Sequence, residues 1–173
     1  MSMKFDYNIF LIGFMGAGKS TAAKELEKRL DMRYAEMDQL IAEEEGVSIP
    51  AIFEKHGESY FRDLESRMLQ KLQKEKGIIV SCGGGIVVRE ENKNHMKESG
   101  RVVLLTATPE TVYEREKDSK ERPILNQNMN VDYIAALQEK RRALYEAAAD
   151  VTVATDGKSP AEISEEIIER LQH

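Results

Sequence analysis

The chain is poor in several residue types, and each scarcity excludes a class of protein. It has one cysteine in 173 residues, so no disulfide can form within the chain. It contains no C-x-x-C pair, and its three histidines are too scattered for a zinc motif. Four prolines and 11 glycines are too few for a collagen-like or disordered chain. A lone cysteine is typical of a reducing compartment, and we therefore expect a cytoplasmic protein.

Basic charge and long apolar runs are scarce as well. Lys and Arg number 25 against 31 Asp and Glu, and the net charge of −6 argues against a general binder of nucleic acids or anionic membranes. No apolar run approaches the ~18 residues that span a bilayer. Gly13 interrupts the apolar stretch 9–15, so we expect no signal peptide there. Any anionic ligand must be bound by a local cluster of cations.

Short apolar runs alternate along the chain with amphipathic helical segments. Helices are predicted at 19–30 and 58–76, each with one apolar face. Ser48 is predicted to cap a short helix that has Pro50 in its first turn. A weak strand is predicted at 33–37, and four runs have the β-branched composition of strands covered on both faces: 7–12, 78–81, 102–106 and 151–154. Strands joined by helical crossovers predict a parallel sheet in one α/β domain over 1–173, with ligands beyond the carboxyl ends of the strands.

The segment 13–20 matches the phosphate-loop pattern G-x-x-x-x-G-K-S/T directly after a predicted strand and at the start of a predicted helix. Glycines let successive backbone N–H groups face one concavity, and the helix N-terminus adds partial positive charge. Lys19 would reach the terminal phosphates, and the Ser20 hydroxyl would bind magnesium. The alternative is a glycine-rich turn with a solvated lysine. We expect a nucleotide site formed by Gly16, Ala17, Gly18, Lys19, Ser20 and Thr21.

Two acids, Glu36 and Asp38, end the second predicted strand. Residues two apart on a strand share a face, so both carboxylates are expected at the phosphate end of the sheet, with Met37 in the core. One carboxylate can accept a proton from an attacking hydroxyl, and the other can hold magnesium through water. A second interpretation, in which the pair only caps the next helix, stays open.

Three consecutive glycines, Gly83, Gly84 and Gly85, follow the third predicted strand. Their bare amides suit the close approach of a small ligand, although a flexible turn has the same composition. Cys82 precedes them and is expected to be buried filler, because no His or Asp lies nearby in sequence to activate it.

Arginines occur in or beside every segment that borders the predicted phosphate site: Arg62, Arg115, Arg122 and the run 140–142. A single arginine is most often a solvated surface charge. Several of them around one site in an acidic chain indicate a cationic cavity for carboxylates or phosphates, which arginine binds through two parallel hydrogen bonds. The polar segment 117–130 lacks periodicity, which is typical of either a mobile lid or a disordered insertion. We expect a lid at about 116–130.

Taken in order, these motifs resemble the shikimate kinase family over nearly the whole chain. They are the segment 13–21, the acid pair ending in Asp38, Phe53 with G-E-x-x-F-R-x-x-E at 57–65, S-C-G-G-G at 81–85, R-P-I-L at 122–125 and K-R-x-x-L-Y at 140–145. The resemblance implies a five-stranded parallel sheet of order 2-3-1-4-5 with helices on both faces. It also implies ATP-dependent phosphorylation of the 3-hydroxyl of shikimate, on the chorismate route to aromatic amino acids.

The resemblance implies a substrate site within and around the helical region of about 38–65. Asp38 would bind the ring hydroxyls of shikimate and act as the base. Arg62 and Arg141 would hold its carboxylate, while the backbone of Gly83, Gly84 and Gly85 would line the same pocket. Phe53 and Phe61 would form its wall.

The remaining implied roles concern the nucleotide. Arg122 would move with the lid onto the transferring phosphate, and Arg115 would lie against the adenine. Lys19, Asp38 and Arg122 are thus the expected catalytic residues, and Ser20 the expected magnesium ligand. Where the family has Asp-x-Asp, this chain has Glu36-Met37-Asp38, so its first acid is one methylene longer.

Three functions remain open at this point. The first is a shikimate kinase that uses ATP and Mg²⁺, acts as a monomer and needs no nucleic acid or membrane. The second is a related small-metabolite kinase, such as a gluconate kinase. The third is a non-catalytic nucleotide-binding protein. Aromatic residues make up 6% of the chain and tryptophan is absent, which argues against stacking recognition of a second nucleotide base.

Overall fold

The computed structural model describes residues 5–118 and 130–172. Within them one parallel sheet has the order β2-β3-β1-β4-β5. Its strands are β1 Asn8–Ile12, β2 Arg33–Glu36, β3 Ile78–Ser81, β4 Gly100–Thr106 and β5 Val151–Ala154. The helices are α1 Lys19–Leu30, α2 Met37–Glu45, α3 Ile49–Gln73, α4 Glu90–Ser99, α5 Pro109–Glu116, α6 Val131–Ala148 and α7 Pro160–Gln172, with a 3₁₀ turn at Ile86–Val88. The predicted strand order is confirmed.

The central strand β1 is buried on both faces, as its composition predicts. Phe10 and Ile12 belong to one apolar cluster, which also contains residues of α2, α3, α4 and α6. Ile9 and Leu11 point to the other face, where residues of α1 and α7 cover the sheet. The sheet therefore lies between two layers of helices, and its carboxyl edge is left for the loops that follow the strands.

The segment that carries the two acids, Glu36 and Asp38, folds differently from its prediction. Strand β2 ends at Glu36, and α2 begins at Met37, which is fully buried. Asp38 thus lies in the first turn of a helix, and the expectation that both acids share one strand face was wrong. The helical turn buries Met37 without a connecting loop and still leaves both acids at the carboxyl edge. Glu36 occupies the N-cap position, but its side chain makes no capping hydrogen bond.

Helix α3 joins the predicted short helix after Ser48 to the predicted long helix from residue 58, and both predictions are confirmed. The Ser48 hydroxyl caps its N-terminus by accepting a hydrogen bond from the Ala51 N–H at 3.2 Å. Gly57 interrupts the helix with a φ of 84°, and regular helix resumes at the predicted position. This break separates a short helical piece beside the cavity from the long piece that carries Phe61, Arg62 and Glu65. Among the helices of residues 5–118 and 130–172, none has the length and apolar composition of a membrane span.

Candidate active site

A cavity of about 860 Å³ opens at the carboxyl edge of the sheet. It brings together segments that are far apart in the sequence: the phosphate loop, the two acids at the β2–α2 junction, the glycine turn after β3, and the cationic side chains of α3, α5 and α6. Its lining includes these predicted site residues: Gly16, Gly18, Lys19, Ser20, Thr21, Asp38, Arg62, Gly83, Gly84, Gly85, Arg115 and Arg141. Ala17 is fully buried within the phosphate loop and is not among the lining residues.

The phosphate loop connects β1 to α1 in the predicted way. Gly18 occupies the N-cap position of α1 with a φ of 98°, a conformation that favours glycine. Inside the loop the Ala17 N–H donates to the Phe14 carbonyl at 3.0 Å. The buried Lys19 ammonium group donates to the carbonyls of Gly13 and Phe14, which holds its charge over the loop. The loop thus presents the cation and helix N-terminus that a polyphosphate needs.

The first acid, Glu36, joins the phosphate loop to β2. Its Oε1 atom accepts a hydrogen bond from the Ser20 hydroxyl at 2.6 Å and another from the Tyr34 hydroxyl. Burial and the bond to Glu36 raise the pKa of the Tyr34 hydroxyl, which therefore remains a donor. The extra methylene of Glu36 thus carries its carboxylate to the predicted magnesium ligand.

The second acid, Asp38, lies beside a carboxyl group for which the sequence predicted no role, that of Glu65. A methyl group built on Gly83 would stand 2.9 Å from Asp38 Oδ1 and 2.8 Å from Glu65 Oε2, so these oxygens flank the same α-carbon. Glu65 is fully buried, and this burial raises its pKa to about 7, against the opposing effect of Arg62.

Arg62 is a buried cation held by two carboxylates of its own helix. It donates to Glu65 Oε1 at 3.0 Å and to Glu58 Oε2 at 3.1 Å. Its guanidinium lies against Gly85, where a methyl group would come within 2.3 Å of the central carbon Cζ. The third glycine of the turn is therefore required for this close packing.

Arg141, on α6, supplies a second buried cation to the same pocket. It donates to the Gly84 carbonyl at 3.2 Å, and the Tyr145 hydroxyl donates to the same oxygen at 2.5 Å. Of the basic run 140–142, only Arg141 lines the cavity. Arg142 is exposed and pairs with Glu139 at 2.9 Å. Neighbouring residues of a helix point in different directions, so only one of these three cations faces the cavity.

Phe53 and Phe61 form an apolar wall beside the arginines, with their ring centroids 4.9 Å apart. Cys82 is buried, and burial raises the pKa of its thiol, in agreement with its prediction as filler. Arg115 reaches the phosphate loop and donates to the Gly16 carbonyl at 2.7 Å. Arg122 and most of the predicted lid lie outside the described residues.

The sequence reasoning gave no role to some residues that contact the site residues, among them Tyr34, Glu65, Tyr145 and Thr155. The sequence could have indicated Glu65 and Tyr145, because they end the motifs at 57–65 and 140–145 and each lies one helical turn from an arginine of the site. No sequence motif indicated Tyr34 or Thr155. Their contacts depend on how strands β2 and β5 end beside the phosphate loop.

A phosphate loop that shares one cavity with arginines and a carboxylate, at the carboxyl edge of a parallel sheet of order 2-3-1-4-5, defines a P-loop kinase of a small molecule. The comparisons narrow this class. The family model described as shikimate kinase matches residues 15–172. The chain belongs to the shikimate kinase family, and the resemblance noted in its motifs is confirmed.

Individual relatives agree with this assignment. A shikimate kinase of Persephonella marina is 47% identical over 165 residues, which cover 95% of this chain and 99% of the relative. The structure of an Acinetobacter baumannii shikimate kinase in complex with shikimate matches with a TM-score of 0.94 at 31% identity, covering 98% of this chain and 94% of that one. The Aquifex aeolicus shikimate kinase structure matches with a TM-score of 0.83 at 42% identity, covering 95% and 96%. Of the three functions left open by the sequence, these findings support the first, an ATP-using kinase of a small molecule.

Proposed function

We propose that this protein transfers the γ-phosphoryl group of ATP to the 3-hydroxyl of shikimate on the chorismate route to aromatic amino acids. The products are ADP and shikimate 3-phosphate. The observation that carries the proposal is one cavity with two different anion sites: a phosphate loop at one end and the buried Arg62 and Arg141 at the other. Asp38 lines the same cavity. This arrangement fits a nucleotide and a small carboxylated polyol.

At the nucleotide end, the segment 16–21 holds the phosphates. Backbone N–H groups of the loop and the N-terminus of α1 face the anion, and the Lys19 ammonium group exchanges its loop carbonyls for phosphate oxygens. Arg115 stands at the outer side of the loop, where it lies against the adenine. Arg122 acts on the transferring phosphate from the lid, a prediction that falls outside the described residues.

The donor set near Ser20 fits magnesium. A hydroxyl and a carboxylate oxygen 2.6 Å apart are hard oxygen donors, which this ion prefers, and phosphate oxygens and water would complete its coordination. Ser20 would hold the ion directly, and Glu36 would hold it through water. When bound, magnesium neutralises the charge that develops on the phosphate oxygens.

At the acceptor end, Arg62 and Arg141 bind the shikimate carboxylate. Each is buried and already oriented by its own acceptor, Glu65 for Arg62 and the Gly84 carbonyl for Arg141. Little side-chain entropy is therefore lost on binding. The bare backbone of 83–85 and the wall of Phe53 and Phe61 fill the remaining surface of the ring site.

Asp38 acts as the general base of the transfer. It accepts the proton of the shikimate 3-hydroxyl as that oxygen forms its bond to the γ-phosphorus, and the bond from this phosphorus to the bridging oxygen of ADP breaks. Glu65, beside Asp38, adds negative charge to the same region when it is ionised and so favours proton uptake by the pair.

An ADP-release assay with purified protein, ATP and Mg²⁺ tests this function. Shikimate, quinate, gluconate and water are compared as acceptors, and Arg62→Lys serves as a variant that keeps the charge but loses the two parallel hydrogen bonds. We expect ADP release only with shikimate, and a raised KM for shikimate in the variant. Turnover with gluconate alone would indicate the related sugar-acid kinase. ADP release independent of any acceptor would contradict the proposal.

A further inference from the structure

Thr155 follows β5 and makes contacts that none of the sequence motifs predict. It is fully buried. Its hydroxyl oxygen lies 2.8 Å from the Ala17 carbonyl oxygen of the phosphate loop and 3.0 Å from the Thr106 carbonyl oxygen at the end of β4. The same oxygen accepts a hydrogen bond from the Arg115 guanidinium at 3.2 Å. One hydroxyl therefore connects β4, β5 and α5 with the phosphate loop.

The hydroxyl donates its single proton to the Ala17 carbonyl. A threonine hydroxyl donates one hydrogen bond and accepts up to two. The Thr106 carbonyl already accepts the backbone N–H of Thr155 at 2.8 Å, so it does not depend on the hydroxyl. The Ala17 carbonyl is the closer acceptor. Since Arg115 is a donor only, it occupies a lone pair of the hydroxyl and leaves the proton directed at Ala17.

This bond fixes the orientation of the peptide between Ala17 and Gly18. In a trans peptide the C=O and N–H groups point in opposite directions. With its carbonyl turned toward the buried Thr155, this peptide turns the Gly18 N–H toward the cavity. Gly18 has a φ of 98° and no side chain to restrain it, so the bond to Ala17 limits a flexible position. Arg115 holds the preceding peptide by its bond to the Gly16 carbonyl at 2.7 Å.

We propose that Thr155 is a positioning residue for phosphate binding: its hydroxyl orients the Ala17–Gly18 peptide so that the Gly18 N–H faces the β-phosphate of the nucleotide. Thr155 is buried and is not among the residues that line the cavity, so it acts through the loop. The inference rests on the proposed function in one respect, that the loop binds a nucleoside polyphosphate. It adds the orientation of one loop peptide and the residue responsible for it.

The test compares Thr155→Val, which has nearly the same shape but no hydroxyl, with Thr155→Ser, which keeps the hydroxyl. Isothermal titration calorimetry measures the binding of ADP, AMP and shikimate to each. We expect Thr155→Val to bind ADP about tenfold more weakly, the loss typical of one buried hydrogen bond. AMP has no β-phosphate, so its affinity and that of shikimate should stay within about twofold of wild type. Thr155→Ser should restore ADP binding.

Thr152→Val is the matched control, because it makes the same change at an exposed position of β5. It should leave all three affinities unchanged. If Thr155→Val does not fold, Thr155→Ala removes the same hydroxyl with less steric demand, and the same ratio of ADP to AMP affinity is measured.

Wild-type ADP affinity in the folded variant would overturn the inference. An equal loss of affinity for ADP and AMP would overturn it too, because it would place the effect at the adenine. Failure of the proposed function gives a different result. In that case the wild-type protein itself would not bind ADP or would not phosphorylate shikimate.

Discussion

Replacing Glu65 by glutamine should change how the stability of the protein depends on pH. The Glu65 carboxyl is fully buried between Arg62 and the glycine turn, and its pKa is raised to about 7 because burial penalises the charged form. One oxygen, Oε2, has no hydrogen-bond partner among the described residues. Glutamine has nearly the same shape and cannot ionise, so the variant removes this titration, and its amide oxygen can still accept the hydrogen bond from Arg62.

The magnitude follows from the difference between the two pKa values. The folded pKa of about 7 stands above the usual value of 4.5, so the folded state binds the extra proton between these pH values. The contribution of Glu65 to the free energy of unfolding of the wild type therefore falls as pH rises through this window. A shift of this size at 1.36 kcal/mol per unit corresponds to about 3 kcal/mol. Below pH 4.5 this contribution is fully present, and above pH 7 it is lost.

Urea unfolding of both proteins at several pH values from 4.5 to 8 measures this effect. The stability of Glu65→Gln relative to wild type should increase by about 3 kcal/mol across the range, because all other groups are shared. Glu58→Gln is the control, since Glu58 contacts the same Arg62 but is half exposed. Its effect should stay below about 1 kcal/mol, as for exposed ion pairs in general. A stability difference between Glu65→Gln and wild type that does not change with pH would refute the reasoning.

Three further predictions concern activity. Asp38→Asn should lower turnover about 10²- to 10⁴-fold while its ADP affinity by calorimetry stays near wild type, and full activity would remove the base role. Arg141→Lys should raise the KM for shikimate about tenfold and leave the KM for ATP unchanged, because lysine keeps the charge but loses the second hydrogen bond; the opposite pattern in steady-state kinetics would contradict this. Tyr34→Phe should raise the Mg²⁺ concentration needed for half-maximal ADP binding about tenfold, since Glu36 loses a partner, and an unchanged requirement would exclude Tyr34 from this site.

The fold could be predicted closely because its signals are local. Buried parallel strands are short apolar runs, and the segment 13–20 marks the end of the first strand and the start of the first helix. The errors occur where a tertiary contact sets the boundary. The burial of Met37 lets α2 start directly after Glu36, so Asp38 lies on a helix instead of a strand. Gly57, with its positive φ, lies between the two predicted helices, which the structure joins as α3.

The candidate site could be predicted as a set of residues but not as a set of contacts. Lys19, Asp38, Arg62 and Arg141 line the cavity as expected. No local pattern shows that a buried Glu65 lies beside Asp38. The proximity of Glu65 and Asp38 depends on the packing of α3 against the turn after β3, which sequence spacing does not encode.

The central claim is that the nucleotide and the small acid bind in one cavity with the acceptor hydroxyl facing the outermost phosphorus. A crystal structure with shikimate and a non-hydrolysable ATP analogue measures this directly. We predict the carboxylate of shikimate on Arg62 and Arg141, and its 3-hydroxyl between Asp38 and the γ-phosphorus, about 3 to 3.5 Å from the phosphorus. A shikimate carboxylate bound away from both arginines, or a 3-hydroxyl turned away from the nucleotide, would contradict the account.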